Sequence, residues 1–218
     1  MTFRPFAGAL VACLALSLAC GSPPVVEAPA PAEPSGPLVV FLGDSLTAGY
    51  GLEEGQAFPA LISEALAAAG EPIRLINAGV SGDTSAGGLS RIDWLLRQRP
   101  DVVVVALGAN DGLRGQPLEG IESNLRAIVE RCQEAGARVL IAGMEMPPSH
   151  GPEYTAGFRA LYGEVATATG VALLPFLLEG VGGEPELNLA DGIHPNVEGH
   201  QRIADTVLPA LRRVLAGL

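Results

Sequence analysis

The sequence predicts an α/β domain in which a parallel sheet of about five strands carries helices on both faces. Short apolar runs alternate with longer segments that repeat apolar residues at helical spacing, and this alternation is typical of parallel sheets. Leu38–Leu42 is continuously apolar and Asp101–Leu107 contains four consecutive valines, as expected of strands buried on both faces. The 218 residues suffice for one such domain and are too few for two of ordinary size.

The predicted elements follow one another from Leu38 to Leu215. The apolar runs predict five strands, at Leu38–Leu42, Ile73–Asn77, Asp101–Leu107, Arg138–Ala142 and Val171–Leu174. Helical spacing of apolar residues predicts helices at Ala57–Ala69, Thr84–Arg97, Leu118–Ala135, Tyr154–Thr169 and Asn196–Leu215. In open parallel sheets ligands bind beyond the carboxyl ends of the strands, so a site is expected in the loops that follow them.

The first 20 residues lie outside this pattern and predict an export signal. Arg4 precedes the apolar run Phe6–Ala19, which is shorter than the ~20 residues of an ordinary transmembrane helix. Leu16-Ser17-Leu18-Ala19-Cys20 resembles a bacterial lipoprotein signal, with Cys20 as the lipidated residue. Ordinary cleavage near Ala19 is the alternative. We therefore expect an exported protein of the bacterial cell envelope, anchored to a membrane through Cys20 or, in the alternative, periplasmic or secreted.

Residues 21–37 predict a tether between this signal and the folded domain. The segment is rich in proline and alanine and has almost no core-forming pattern, so it is expected to behave as an extended linker. The predicted organisation is a signal at 1–20, a tether at 21–37 and a single folded domain at 38–218.

The charged, histidine and cysteine residues of the sequence argue against a nucleic-acid partner and against a metal cofactor. The chain carries 13 basic residues, all of them arginine, against 24 acidic ones, and its net charge is −11. Without a basic tract, a nucleic-acid partner is not expected. No metal or other cofactor is expected either, because the Asp and His residues lack the clustered ligand set of a catalytic zinc site. Cys132 is the one cysteine beyond the leader, and its helical context predicts a buried apolar role.

Four short blocks supply the residue types that acyl transfer needs. They are Gly43-Asp44-Ser45-Leu46, Asn77-Ala78-Gly79, Gly108-Ala109-Asn110-Asp111 and Asp191-Gly192-Ile193-His194-Pro195. Together they contain a nucleophile, a base, a residue to orient the base, and donors for an oxyanion. The first three blocks each follow a predicted strand, so their side chains are expected to converge at one edge of the sheet. The sequence therefore predicts an esterase.

Ser45, His194 and Asp191 are the candidate catalytic residues. A short turn can bring the Asp191 carboxylate to one nitrogen of His194 and leave the other nitrogen facing Ser45. Each residue type also has a plainer explanation, since serine caps helices and Asp-Gly is a common turn. His150 and His200 have no aspartate at comparable spacing and are predicted to be surface residues.

Gly79, Asn110 and the backbone N–H of Ser45 are the candidate oxyanion donors. Glycine allows the backbone to approach a substrate closely, and the Asn110 amide offers an N–H without charge. A turn glycine and an Asx-turn asparagine are the alternatives at these two positions.

These blocks resemble the SGNH (GDSL) hydrolase family, whose four signature residues match Ser45, Gly79, Asn110 and His194. Longer stretches resemble the bacterial TesA-type subgroup of thioesterases, lysophospholipases and arylesterases. The resemblance extends over about 38–211 of this chain. It implies a three-layer α/β/α sandwich with the flavodoxin-like strand order 2-1-3-4-5, and a mobile loop at Gly112–Pro117 that closes over the acyl chain.

The predicted function is a serine esterase that hydrolyses fatty-acyl esters or thioesters without a metal. An exported enzyme rarely meets acyl-CoA, so lysophospholipid or another envelope lipid is the preferred substrate. Four apolar residues are candidates for an acyl groove, with a core role as the alternative: Leu113, Met144, Met146 and Pro147. Two other functions stay open, a carbohydrate O-deacetylase on the same scaffold and a non-catalytic envelope-binding lipoprotein.

Overall fold

The structure is a computed structural model that describes residues 1–2 and 36–218. The predicted signal, its Cys20 and nearly all of the predicted tether lie outside the described residues. Within the described residues, no helix combines the length and the apolar character that crossing a membrane requires.

A five-stranded parallel sheet forms the centre of the domain. Its strands are β1 (Leu38–Gly43), β2 (Arg74–Gly79), β3 (Val102–Ala106), β4 (Arg138–Ala142) and β5 (Ala172–Leu174), in the order β2-β1-β3-β4-β5. The predicted strand order and α/β class are confirmed. β1 and β3 are buried along their whole length, which explains why they are the most continuously apolar segments of the sequence.

The helices cover the sheet in two groups. The described helices are α1 (Ser45–Ala48), α2 (Phe58–Ala68), α3 (Ser85–Leu96), α4 (Ala109–Leu113), α5 (Leu118–Glu134), α6 (Pro152–Thr169) and α7 (Val197–Leu215). Helix α5 packs between α3 and α6, and α2 packs against α7. Cys132 on α5 is fully buried, as predicted, and burial raises the pKa of its thiol to about 12.

The five predicted helices are present, with ends that differ by one or two residues. Thr84 and Asn196, predicted as first helical residues, instead precede α3 and α7 and cap them. The Thr84 side chain accepts a hydrogen bond from the N–H of Gly87 at 3.1 Å, and Asn196 accepts one from Gly199 at 3.0 Å. Such caps satisfy N–H groups that have no partner within the helix.

The prediction that His200 is a surface residue is wrong. His200 lies on α7 and is 1% exposed, with its ring stacked against that of Phe58. Its Nδ1 accepts the backbone N–H of Phe58, the first residue of α2, at 3.0 Å. Burial, and secondarily the charge of His194, lowers the pKa of His200 to about 4. A neutral histidine here satisfies a helix-start N–H and ties α7 to α2.

His150, also predicted to lie on the surface, is half-buried. Its ring lies 6.2 Å from that of Tyr154. Its Nδ1 is buried, and no hydrogen-bond partner is found for this atom among residues 1–2 and 36–218.

Candidate active site

The carboxyl ends of three adjacent strands bring the predicted blocks together. Gly43, the last residue of β1, pairs with Gly79 of β2 on one side and with Ala106 of β3 on the other. The loops that carry Ser45 and Asn110 therefore begin side by side. The placement follows from the general rule for open parallel sheets.

Ser45, His194 and Asp191 form a continuous chain of hydrogen bonds. The Ser45 Oγ lies 3.0 Å from Nε2 of His194, and the His194 Nδ1 lies 2.8 Å from Oδ2 of Asp191. The other carboxylate oxygen of Asp191 accepts the N–H groups of His194 at 3.0 Å and Ile193 at 2.9 Å. These hydrogen bonds, with that from the His194 backbone foremost, lower the pKa of Asp191 to about 2. The carboxylate is therefore ionised at neutral pH.

A compact turn presents Asp191 and His194. Asn188 forms an antiparallel bridge with Pro195, and the N–H of Leu189 donates to the His194 carbonyl at 2.7 Å. Gly192 closes the turn with a φ of +68°, a conformation that favours glycine. The Asn188 side chain donates to the carbonyls of Val181 and Glu184 at 2.8 Å, which fixes the turn to the preceding loop.

Asp44, and not Ser45, caps the helix at the nucleophile. The Asp44 carboxylate accepts the N–H of Leu46 at 3.0 Å, and Ser45 is the first residue of α1. Helix capping, the alternative role considered for Ser45, is thus performed by Asp44. The Ser45 hydroxyl instead faces His194.

Asn110 stands beside the nucleophile and is held by Asp44. The Asn110 Nδ2 donates to Oδ2 of Asp44 at 3.2 Å. A primary amide carries two hydrogens, so one donor of Asn110 is left for another acceptor. Asp44 is 2% exposed, and burial raises the pKa of its carboxyl to about 6 against the opposing effect of its hydrogen bonds.

Gly79, a candidate oxyanion donor, is the last residue of β2. Its N–H donates to Oδ1 of Asn77 at 3.0 Å, within its own block. A Cβ at this position would clash with the backbone of Thr47 and Ala48, so glycine is required by close packing against α1. In this structure the N–H of Gly79 is therefore engaged with Asn77, and close packing is one reason for glycine at this position.

A cleft with a volume of about 530 Å³ opens from this constellation. Ser45, Asn110 and His194 line it together with the four predicted groove residues. Met144 and Met146 are also buried, so for these two both the groove and the core interpretations apply.

Three apolar residues of the cleft wall were not among the predicted groove residues: Phe176, Leu178 and Ile193. Phe176 and Leu178 follow β5. The apolar run after that strand could have indicated them, because loops at the carboxyl ends of strands build the site. Within the described part of the chain, no three His, Cys, Asp or Glu side chains cluster in a way that would hold a metal ion.

Comparison with known proteins identifies relatives of the whole folded domain. Residues 41–202 match the model of the GDSL-like Lipase/Acylhydrolase family. Esterase TesA of Pseudomonas aeruginosa is 43% identical over 81% of this chain and 89% of its own length. The Escherichia coli K12 protein named thioesterase 1/protease 1/lysophospholipase L1 is 39% identical over 80% of this chain and 83% of its own length.

A solved structure is similar in fold as well as in sequence. It is the psychrotrophic esterase EstA from Pseudoalteromonas sp., in a form inhibited by monoethylphosphonate. It superposes with a TM-score of 0.79 at 35% identity, over 82% of this chain and 98% of that chain.

Proposed function

Because the chain belongs to the GDSL-like lipase/acylhydrolase family and is a hydrolase of ester bonds, we propose that Ser45, His194 and Asp191 are its catalytic triad. The observation that carries the proposal is the chain of hydrogen bonds from Ser45 Oγ through His194 to Asp191, at 3.0 and 2.8 Å. The membership in this family agrees with the predicted resemblance and removes the alternative of a non-catalytic lipoprotein.

The first half of the reaction transfers the acyl group to Ser45. The Ser45 Oγ attacks the carbonyl carbon as its proton passes to Nε2 of His194, and the ionised Asp191 stabilises the imidazolium that forms. The tetrahedral intermediate then collapses, and His194 returns the proton to the departing alkoxide or thiolate. The products are the leaving alcohol or thiol and an acyl-enzyme on Ser45.

The second half returns the enzyme to its resting state. A water molecule gives its proton to His194 and attacks the acyl carbon, and the Ser45 oxygen leaves with the proton that His194 donates. The carboxylic acid is released, and Ser45 and neutral His194 are restored.

The Asn110 amide and the N–H of Ser45 are the proposed donors to the oxyanion. Asn110 keeps one amide hydrogen free of Asp44, and Ser45 begins α1, where N–H groups have no partner within the helix. Gly79 contributes a third donor only when the Asn77 side chain releases its N–H, which costs the 3.0 Å hydrogen bond between them.

A fatty-acyl chain is the proposed occupant of the cleft. Its walls are largely apolar and include Met144, Met146, Phe176 and Leu178, while Ser45, Asn110 and His194 supply polar groups. Apolar walls favour an alkyl chain over a hydrated sugar, which makes the carbohydrate O-deacetylase the weaker candidate. The thioesterase and lysophospholipase names of the E. coli relative support the same class of substrate.

A bacterial membrane is the proposed location. The lipoprotein-like signal ending at Cys20 supports an anchor, and the proline- and alanine-rich composition of residues 21–37 supports their proposed role as a tether. A chain of that length spans roughly 20 Å on average, enough for the domain to reach lipids near its anchor. Lysophospholipids or other envelope lipids are therefore the proposed physiological substrates, and periplasmic or secreted enzyme without an anchor is the second candidate.

A chain-length panel tests the proposed substrate class. We expect kcat/KM for p-nitrophenyl esters to rise from acetate to longer acyl chains, and lysophospholipid to be hydrolysed. The Ser45→Ala variant serves as the blank for each substrate. Activity on acetate alone would favour the O-deacetylase, and no activity on any ester or thioester would contradict the proposal.

A further inference from the structure

Tyr50 presents an aromatic ring to the triad from outside the cleft. It follows α1 between Gly49 and Gly51, whose φ angles of +74° and +79° favour glycine. The N–H of Tyr50 donates to the carbonyl of Ser45 at 3.0 Å, so its backbone is tied to the residue that carries the nucleophile. The ring packs against the imidazole of His194, with centroids 4.4 Å apart and planes inclined by 37°.

The Tyr50 ring contacts the face of the His194 imidazole, which the hydrogen bonds of His194 do not touch. Asp191 and Ser45 bind the two ring nitrogens, and both hydrogen bonds lie at the edge of the imidazole. Neither hydrogen bond contacts the face of the imidazole, which tilts when the side chain rotates about its Cβ–Cγ bond. A second ring against its face limits that motion, and the electron-rich face of tyrosine also attracts a cation.

We propose that Tyr50 is a positioning residue for acyl transfer: its ring keeps the His194 imidazole aimed at Ser45 and stabilises the imidazolium formed when Ser45 loses its proton. The proposal rests on the proposed function of the triad. Tyr50 is 51% exposed and is not among the residues that line the cleft, and its ring contacts the imidazole of His194.

The expected effect is modest and specific. An aromatic–cation contact at an exposed site is worth roughly a two- to fivefold change in an equilibrium. Tyr50→Leu should therefore lower kcat by about fivefold while KM is unchanged. Tyr50→Phe keeps an aromatic ring against the His194 imidazole. It should therefore retain at least half of the wild-type kcat.

The pH dependence of kcat/KM distinguishes a specific effect of Tyr50 on His194 from a general loss of order in the variant. Without the aromatic face the charged imidazole is less favoured, so the acid limb of kcat/KM against pH should move to lower pH by about half a unit in Tyr50→Leu. The titratable groups whose charges interact with His194 are Asp191, Asp44 and His200, and Glu145 lines the same cleft. All four stay in place in the variant.

The experiment compares wild type, Tyr50→Phe and Tyr50→Leu on one p-nitrophenyl ester, with Trp94→Leu as the control. Trp94 is a 59% exposed aromatic residue on α3 and should leave both kcat and the pH profile unchanged. Thermal unfolding of each variant checks that the fold is intact. Wild-type kinetics in Tyr50→Leu, or a rise in KM with constant kcat, would overturn the proposal. Inactive wild-type enzyme would instead contradict the proposed function.

Discussion

The side-chain amide of Asn110 donates to the carboxylate of Asp44 across 3.2 Å, which joins the loops after β3 and β1 directly beside Ser45. The same carboxylate caps α1 through the N–H of Leu46. One buried aspartate therefore holds both the helix that begins with the nucleophile and the amide proposed to bind the oxyanion.

Removing that amide should lower the rate of the chemical step. We expect Asn110→Ala to reduce kcat by roughly 10²–10³-fold, or about 3–4 kcal/mol, because one donor to the developing oxyanion is lost. KM should change little, since the negative charge exists chiefly in the transition state. Steady-state kinetics on one ester measures both values. A raised KM with wild-type kcat would assign Asn110 to substrate binding instead.

Asp191→Asn should keep the shape of the turn and disable the base. The amide that replaces the carboxylate would present an N–H to Nδ1 of His194, which favours the tautomer that cannot accept the proton of Ser45. We expect kcat to fall by up to about 10⁴-fold, by analogy with other triads. Thermal unfolding near that of wild type would show that the turn is preserved. A loss of less than about tenfold would contradict the role of Asp191.

The fold was predictable from the sequence because β1 and β3 are continuously apolar and the longer helices repeat apolar residues at helical spacing. The strand order required the resemblance to a known family, since alternation alone does not say which strands are neighbours. Helix α1 and helix α4 were not predicted, because each is too short to show a repeat of apolar residues.

The sequence predicted which residue types form the site but not all of the hydrogen bonds that join those residues to one another. The strand ends indicated that Ser45 and Asn110 would converge, but nothing in the sequence showed that Asp44 would join them. His200 was mispredicted because a buried histidine that binds a helix-start N–H has no local signature. Its partner, Phe58, lies 142 residues away in the chain.

Asp44 and His200 should make the free energy of unfolding change with pH in opposite directions between about pH 4 and pH 6.5. Folded Asp44 has a pKa of about 6 against a reference of 3.8, so ionising it costs roughly 3 kcal/mol of unfolding free energy as pH rises through this range. Folded His200 has a pKa of about 4 against 6.5, so its contribution, also roughly 3 kcal/mol, is lost as pH falls through 6.5 to 4. In the wild type the two effects largely cancel.

Replacing either residue alone should reveal the pH dependence that the other contributes to the free energy of unfolding. Between pH 4 and pH 6.5, we expect the unfolding free energy of Asp44→Asn to rise with pH relative to wild type, because the His200 contribution is then unopposed. That of His200→Asn, which keeps an acceptor for the N–H of Phe58, should fall with pH. Urea denaturation at several pH values measures both. Variant curves parallel to that of wild type would contradict the two pKa assignments.

Cys20→Ser should release the protein from the membrane without changing its chemistry. Several acyl chains hold a protein firmly, whereas a chain without lipid leaves the domain unanchored. We expect wild type in the membrane fraction and the variant in the soluble fraction, with equal kcat on a water-soluble ester. Mass spectrometry of the mature N-terminus gives the decisive check. A terminus without lipid, or one that begins after Cys20, would support an exported enzyme with no anchor.

Covalent labelling of the nucleophile tests the central proposal most directly. A fluorophosphonate reacts with a serine that a neighbouring base activates, and the site of attachment is read by mass spectrometry of the digested protein. We expect stoichiometric labelling of wild type on Ser45, no labelling of Ser45→Ala, and loss of ester hydrolysis in that variant with an unchanged thermal unfolding curve. Labelling at another residue, or hydrolysis retained by Ser45→Ala, would contradict the assignment of Ser45 as the nucleophile.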